Sequence, residues 1–385
     1  MRNRMRWLLF GLVLCSAVGV QAQFRAVVPA QASPGAKRFY SPGIETGDYM
    51  YVSGQGPRRP DGSMPPTFAA QVQQALDNLK SVVEAAGLTM EHVVYTQVYL
   101  NQVYLEDISK YGEMNRVFAQ VFTKTPPARA VLGVARLPEP SIQINAIAVR
   151  NLAERRAVYP PGYKSDEPAS PGILTRDQLF VSGMLGSDPA TGKVPDDPAA
   201  QVDFALDRMK AVVEAAGLDL RHMVFVNPYL TAAVPMRVMN QHYAQRFEFG
   251  NTPARATIEV SSLPEGAHIE YTGVAVRDLK QRQAVRPKNM PPSPTASPCV
   301  FAGDILYCSA KSGFIPGANG GVYASTTAHQ LRQTMRNQLD NLEEAGMNFD
   351  QVVSTNAYLD DLADARAFDE VYAQYFSHIP PARTT

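Results

Sequence analysis

Charge of one sign is what this 385-residue sequence most plainly lacks: Lys plus Arg number 36, and Asp plus Glu also number 36. Without a basic excess there is no electrostatic footprint for nucleic acid or an anionic membrane, so neither is expected as a partner. Cysteine is scarce, three residues in all. His92, His222, His242 and His268 show no ligand spacing and no companion cysteine, so no metal site and no cofactor is expected. Beyond the first residues no apolar run reaches the roughly 20 residues that a membrane-spanning helix needs. Apolar residues still make up 45% of the chain. That suffices for buried cores, and the length asks for two or three domains.

The start of the chain has a different character. "MRNRMR" is basic, "WLLFGLVLCSAVGV" is apolar, and "VQA" precedes Gln23 with small residues at the cleavage positions. This order predicts a secretory signal peptide over 1–22, cut after Ala22, and a periplasmic or secreted mature protein.

Repetition dominates the rest of the chain. "LKSVVEAAGLTMEHVVYTQVYL" from Leu79 returns as "MKAVVEAAGLDLRHMVFVNPYL" from Met209, and more loosely as "NLEEAGMNFDQVVSTNAYL" from Asn341. The period is that of a whole domain, so three tandem modules are expected, over 37–150, 169–277 and 296–385. The polar, Pro-rich stretches 151–168 and 278–295 read as linkers. Within module 1 a hairpin turns at Gly47-Asp48, and a helix comes next with Phe68, Val72, Leu76, Leu79 and Val83 on one face. A strand, a second helix and two more strands complete a ββαβαββ order. That is an α+β layer with both helices on one face of the sheet.

These residues resemble the Rid (YjgF-type) family of imine and enamine deaminases. In module 1 the likeness is carried by "VSGQ", "LDNLKSVVEAAGL", "PPARAVLGVARLP" and "INAIAVR". In module 2 it is carried by "FVSGMLG", "ALDRMKAVVEAAGL", "TPARATIEVSSLPEGAHIEY" and "VAVR". The resemblance implies the chorismate-mutase-like fold, assembly as trimers with clefts between subunits, and hydrolysis of reactive 2-imino acids to 2-oxo acids and ammonia. Three modules on one chain then imply self-association as an intramolecular pseudo-trimer. Small 2-imino or 2-oxo carboxylates are the expected ligands.

An Arg fork suits a planar carboxylate, and a neighbouring Glu can position water and move protons. The resemblance assigns the clamp to the Arg of each Pro-Ala-Arg turn: Arg129, Arg255 and Arg383. Module 2 keeps the acid as Glu270, whereas module 1 has Gln143 there, and the sequence stops two residues after Arg383. Arg255 and Glu270 are therefore expected to form the competent site, with Tyr40 reaching it across a module boundary. Ser182, Gly183, Asn240, Thr257 and Arg129 are expected to bind substrate. A binding protein that holds carboxylates without turnover is the alternative.

Two further expectations concern module 3. Its last strands are missing, which predicts an unpaired sheet edge. In "CVFAGDILYC" a turn at Gly303-Asp304 sets Cys299 opposite Cys308, either as a disulfide or as two buried thiols.

Overall fold

The computed structural model describes residues 8–16, 24–30 and 39–385 apart from 166, 318–319 and 377, with backbone alone for 8–16. Strand β1 (Leu8–Ser16) stands outside the repeat order. Module 1 then runs β2 (Arg25–Val27), β3 (Gly43–Thr46), β4 (Tyr49–Gln55), α1 (Phe68–Ala85), β5 (Val93–Asn101), α2 (Gln102–Glu106), α3 (Ile108–Val121), β6 (Ala128–Val134) and β7 (Ile142–Val149). Module 2 repeats this as β8 (Arg156–Val158), β9 (Gly172–Leu174), β10 (Gln178–Leu185), α4 (Pro198–Ala215), β11 (Met223–Leu230), α5 (Met236–Ala244), β12 (Ala254–Arg255), β13 (Ile258–Glu259) and β14 (Ile269–Val276). Module 3 has β15 (Arg282–Val285), β16 (Cys299–Ala302), β17 (Ile305–Cys308), three two-residue strands β18 (Lys311–Ser312), β19 (Phe314–Ile315) and β20 (Val322–Tyr323), α6 (Thr327–Glu344), β21 (Val352–Leu359), α7 (Ala365–Tyr372) and β22 (Ala382–Thr384).

Local chemistry explains the elements. Thr67 caps α1 by accepting from the Ala70 N–H, and Phe68, Val72, Ala75, Leu76, Leu79, Val82 and Val83 form its buried face. The helix gives way at Gly87, whose φ of +75° a β-carbon would oppose. The β3–β4 turn uses Gly47 at φ +55° and pairs Thr46 with Tyr49. In module 3 the same hairpin pairs Ala302 with Ile305 and sets Cys299 opposite Cys308. A disulfide joins the two cysteines, their Cα atoms 4.0 Å apart.

The sheet orders correspond position by position: β2-β3-β4-β7-β5-β6, then β8-β9-β10-β14-β11-β12, then β15-β16-β17-β1-β21-β22. Each sheet packs its module's helices on one face, as in the cluster of Val72, Leu79 and Phe118 with Val98 and Ile144. The opposite faces meet one another, and Tyr51, Phe180, Phe225, Tyr307 and Val353 share one central cluster drawn from all three modules.

Three differences from the sequence expectations stand out. The stretches expected as linkers are not plain linkers, because each holds an edge strand: β8 pairs β9 and β15 pairs β16, as β2 pairs β3. Their shared signal is Ala-Val-x-Pro at Ala26, Ala157 and Ala284. Second, β22 is present and pairs β21 in parallel, so the Pro-Ala-Arg strand of module 3 exists in short form. Third, β1 fills the place that β7 and β14 hold in the other modules, antiparallel to both β17 and β21. The residues expected to be a leader thus supply a strand, and the two open ladders are paired. The basic start and the cut after Ala22 lie outside the described residues.

Candidate active site

Each Pro-Ala-Arg strand runs parallel beside the strand that follows its module's first helix, which pairs Thr96 with Arg129, Val226 with Arg255 and Thr355 with Arg383. Its backbone serves the next module. The Arg129 N–H donates to Ser182 Oγ, the Arg255 N–H to Ser309 Oγ and the Arg383 N–H to Ser53 Oγ, each at 2.8 Å. Those hydroxyls in turn donate to the carbonyls of Ser170, Ser297 and Ser41 at 2.6 Å. Module 1 docks on 2, 2 on 3, and 3 on 1, which makes a closed ring with a cleft at each junction. In every cleft the Arg comes from one module and the Ser-Gly or Ser-Ala backbone from the next.

The junction of modules 1 and 2 holds an Arg and a Glu together. Arg129 is 4% exposed, lies over the Phe118 ring at 4.9 Å and donates from Nη2 to Asn115 Oδ1 at 2.8 Å. Glu270, 1% exposed, comes from β14 of module 2 and accepts the Val131 N–H of module 1. Its carboxylate lies against Gly183; a β-carbon placed there would be 1.6 Å from Glu270 Oε1, so only glycine leaves the room. Burial pushes the Glu270 carboxyl up to about 8, against the lowering effects of the Val131 N–H and the Arg129 charge, and Glu167 adds to the rise. Arg129 Nη1 and Glu270 Oε2 are buried with no hydrogen-bond partner among the described residues. Polar atoms left in this state favour a ligand that satisfies both.

The other two clefts lack this pairing. Arg255 lies over Tyr243 at 5.0 Å and donates to Asn240 Oδ1 at 2.8 Å, with no acidic partner among the described residues. Thr257 follows on the same edge, its Oγ1 buried without a partner among the described residues. Arg383 is ion-paired with Asp369 at 2.6 Å and sits among the rings of Tyr40, Phe368 and Tyr372. The Gln143 amide lies against Gly54 in that junction, as Glu270 does against Gly183. A cavity of about 880 Å³ is lined by Tyr99, Gln143, Val260, Tyr358 and Thr384, which come from all three modules. Among the described residues no cluster of His, Cys, Asp and Glu is arranged to hold a metal ion.

The family description "Endoribonuclease L-PSP" matches three successive stretches, 30–150, 164–277 and 289–385. The chain belongs to this family, the YjgF-type or Rid proteins. Among similar proteins, the 2-iminobutanoate/2-iminopropanoate deaminase of Escherichia coli K12 is 38% identical over 128 residues, which are 32% of this chain and 96% of that protein. Protein DfrA of Myxococcus xanthus is 40% identical over 98 residues, 25% of this chain and 74% of that protein. The crystal structure of the E. coli YjgF gene product is 36% identical and covers 33% of this chain and 99% of its own, with a TM-score of 0.30.

Within this Rid-type ring the expected constellation divides differently. Arg255 and Glu270 belong to one module yet face two different junctions, because the edge strand β12 is turned to module 3 and β14 presents Glu270 to module 1. Tyr40 meets Arg383, not Arg255, since the segment before the module 1 hairpin lies against the end of module 3. Arg129, Ser182, Gly183 and Glu270 come together; Asn240, Thr257 and Arg255 form a second set. Glu167 and Tyr111, which sequence reasoning passed over, complete the first cleft. The available signal was an acidic "SDEP" directly before the position that Tyr40 holds in module 1.

Proposed function

We propose that this protein hydrolyses imines of small 2-oxo carboxylates at the junction of modules 1 and 2. One observation carries the reading: a buried Glu, with its carboxyl pushed up to about 8, shares a cleft with a clamp Arg from the neighbouring module. The relatives named as 2-iminobutanoate/2-iminopropanoate deaminases support the reaction class.

Arg129 would hold the substrate carboxylate by charge-assisted bonds. Glu270, neutral near pH 7, would donate its proton to the imine nitrogen and, as carboxylate, accept one from the attacking water as the C–O bond forms. Glu270 then returns that proton to nitrogen, and as the C–N bond breaks to release ammonia the carbinolamine hydroxyl gives its proton to Glu270 and becomes the C=O of the 2-oxo acid, which leaves Glu270 protonated. The Val131 N–H fixes which carboxyl oxygen faces the substrate. At the Arg255 junction, where no acid among the described residues stands beside the clamp, the same chemistry supports binding without turnover.

The test is pyruvate release from 2-iminopropanoate generated in the assay. Arg129→Ala and Glu270→Gln should each lose activity by about 100-fold or more, whereas Arg255→Ala keeps it within a few-fold. Activity that survives Glu270→Gln and is lost with Arg255→Ala would overturn the choice of cleft.

A further inference from the structure

The clamp of the proposed site is already engaged by a carboxylate of the chain itself. Glu167 precedes module 2's first hairpin and forms an ion pair with Arg129 Nη2. Its other oxygen accepts from Asn115 Nδ2 at 3.1 Å, and the Tyr111 hydroxyl bonds the same carboxylate. Both oxygens are therefore held by the groups that would grip a ligand's carboxylate. The Glu167 side chain is 28% exposed against 2% for Arg129, so the carboxylate enters from the solvent side. The other junctions differ. Arg255 makes the equivalent Asn240 contact with no acid beside it among the described residues, and Arg383 is paired by Asp369 from its own module's helix.

Resting on the reading of Arg129 as a carboxylate clamp, we propose that Glu167 is a specificity-determining residue, a tethered carboxylate that any carboxylate ligand must displace. A tethered competitor acts at an effective concentration of the order of millimolar or more. Plain carboxylates, which only exchange one ion pair for another, are excluded at ordinary concentrations. A ligand with a 2-imino or 2-oxo group gains a second contact at Glu270 Oε2 and can win the exchange. Ser170, hydrogen-bonded through Oγ to the Pro126 carbonyl at 2.6 Å, keeps the displaced Glu167 close by.

Calorimetric titration of the full chain with propanoate and with 2-oxobutanoate tests this. Glu167→Ala should bind propanoate at least 10-fold more tightly than the native chain, with a smaller gain for 2-oxobutanoate, and Glu167→Gln should move in the same direction. Adding Arg129→Ala should abolish the gain. Affinities within twofold of the native chain in both Glu167 variants, or a gain that survives Arg129→Ala, would overturn the proposal. Tighter binding in a protein that releases no pyruvate supports this inference and sinks the deaminase reading. Turnover with unchanged binding sinks this inference alone.

Discussion

Glu270 controls how the candidate site responds to pH. Its carboxyl sits near 4.5 when the chain is unfolded and about 8 when folded, chiefly because burial penalises the charged form. Between these values the folded state holds a proton that the unfolded state has released, so stability falls as pH rises across that window. Thermal melts from pH 5 to 8 should therefore show a steeper decline for the native chain than for Glu270→Gln; parallel curves would reject the assignment. Turnover that needs the neutral acid should also fall above about pH 8. Which residue types matter was legible at this scale, since Arg129, Glu270 and the Ser182-Gly183 pair stand out in the repeats. Their grouping was not, because a cleft shared by two modules places residues far apart in sequence side by side. Glu167 carried no periodic signal, only the acidic "SDEP" around it.

At the level of elements, hydrophobic spacing and turn chemistry identified the long helices and the hairpins. The periodic face of α1 and the Gly47 turn are where those patterns place them. Edge strands of three or four residues escaped, since Ala-Val-x-Pro carries too little pattern to separate strand from linker. Strand β1 is the element with the sharpest consequence. The same residues cannot be cut off as a leader and also pair β17 and β21. Sequencing the N-terminus of the protein recovered from cells decides between the two. Deleting 1–16 strips the ladders of β17 and β21 of their shared partner, which leaves N–H and C=O groups unpaired. Limited proteolysis should then cut module 3 before modules 1 and 2. Equal resistance of all three would show that β1 contributes nothing.

For the molecule as a whole, closure of the ring within one chain is the organising fact. The three 2.8 Å bonds from Arg N–H to Ser Oγ, and the central cluster around Tyr51, Phe225 and Tyr307, join modules that are already covalently linked. Sedimentation at micromolar concentration should report a mass near the 42.1 kDa of one chain. A stable species of three chains would mean that the modules close between molecules instead. The sequence by itself determined that there are three modules, the α+β order within each, the Pro-Ala-Arg turns and the position of the surviving Glu, because repeats, periodicity and turn residues are local properties. Only the tertiary structure decided that Arg129 and not Arg255 meets Glu270, that Tyr40 belongs to Arg383, and that a linker carboxylate sits on the clamp. These facts depend on which sheet edge each module presents to the next around a ring, and no local pattern encodes that.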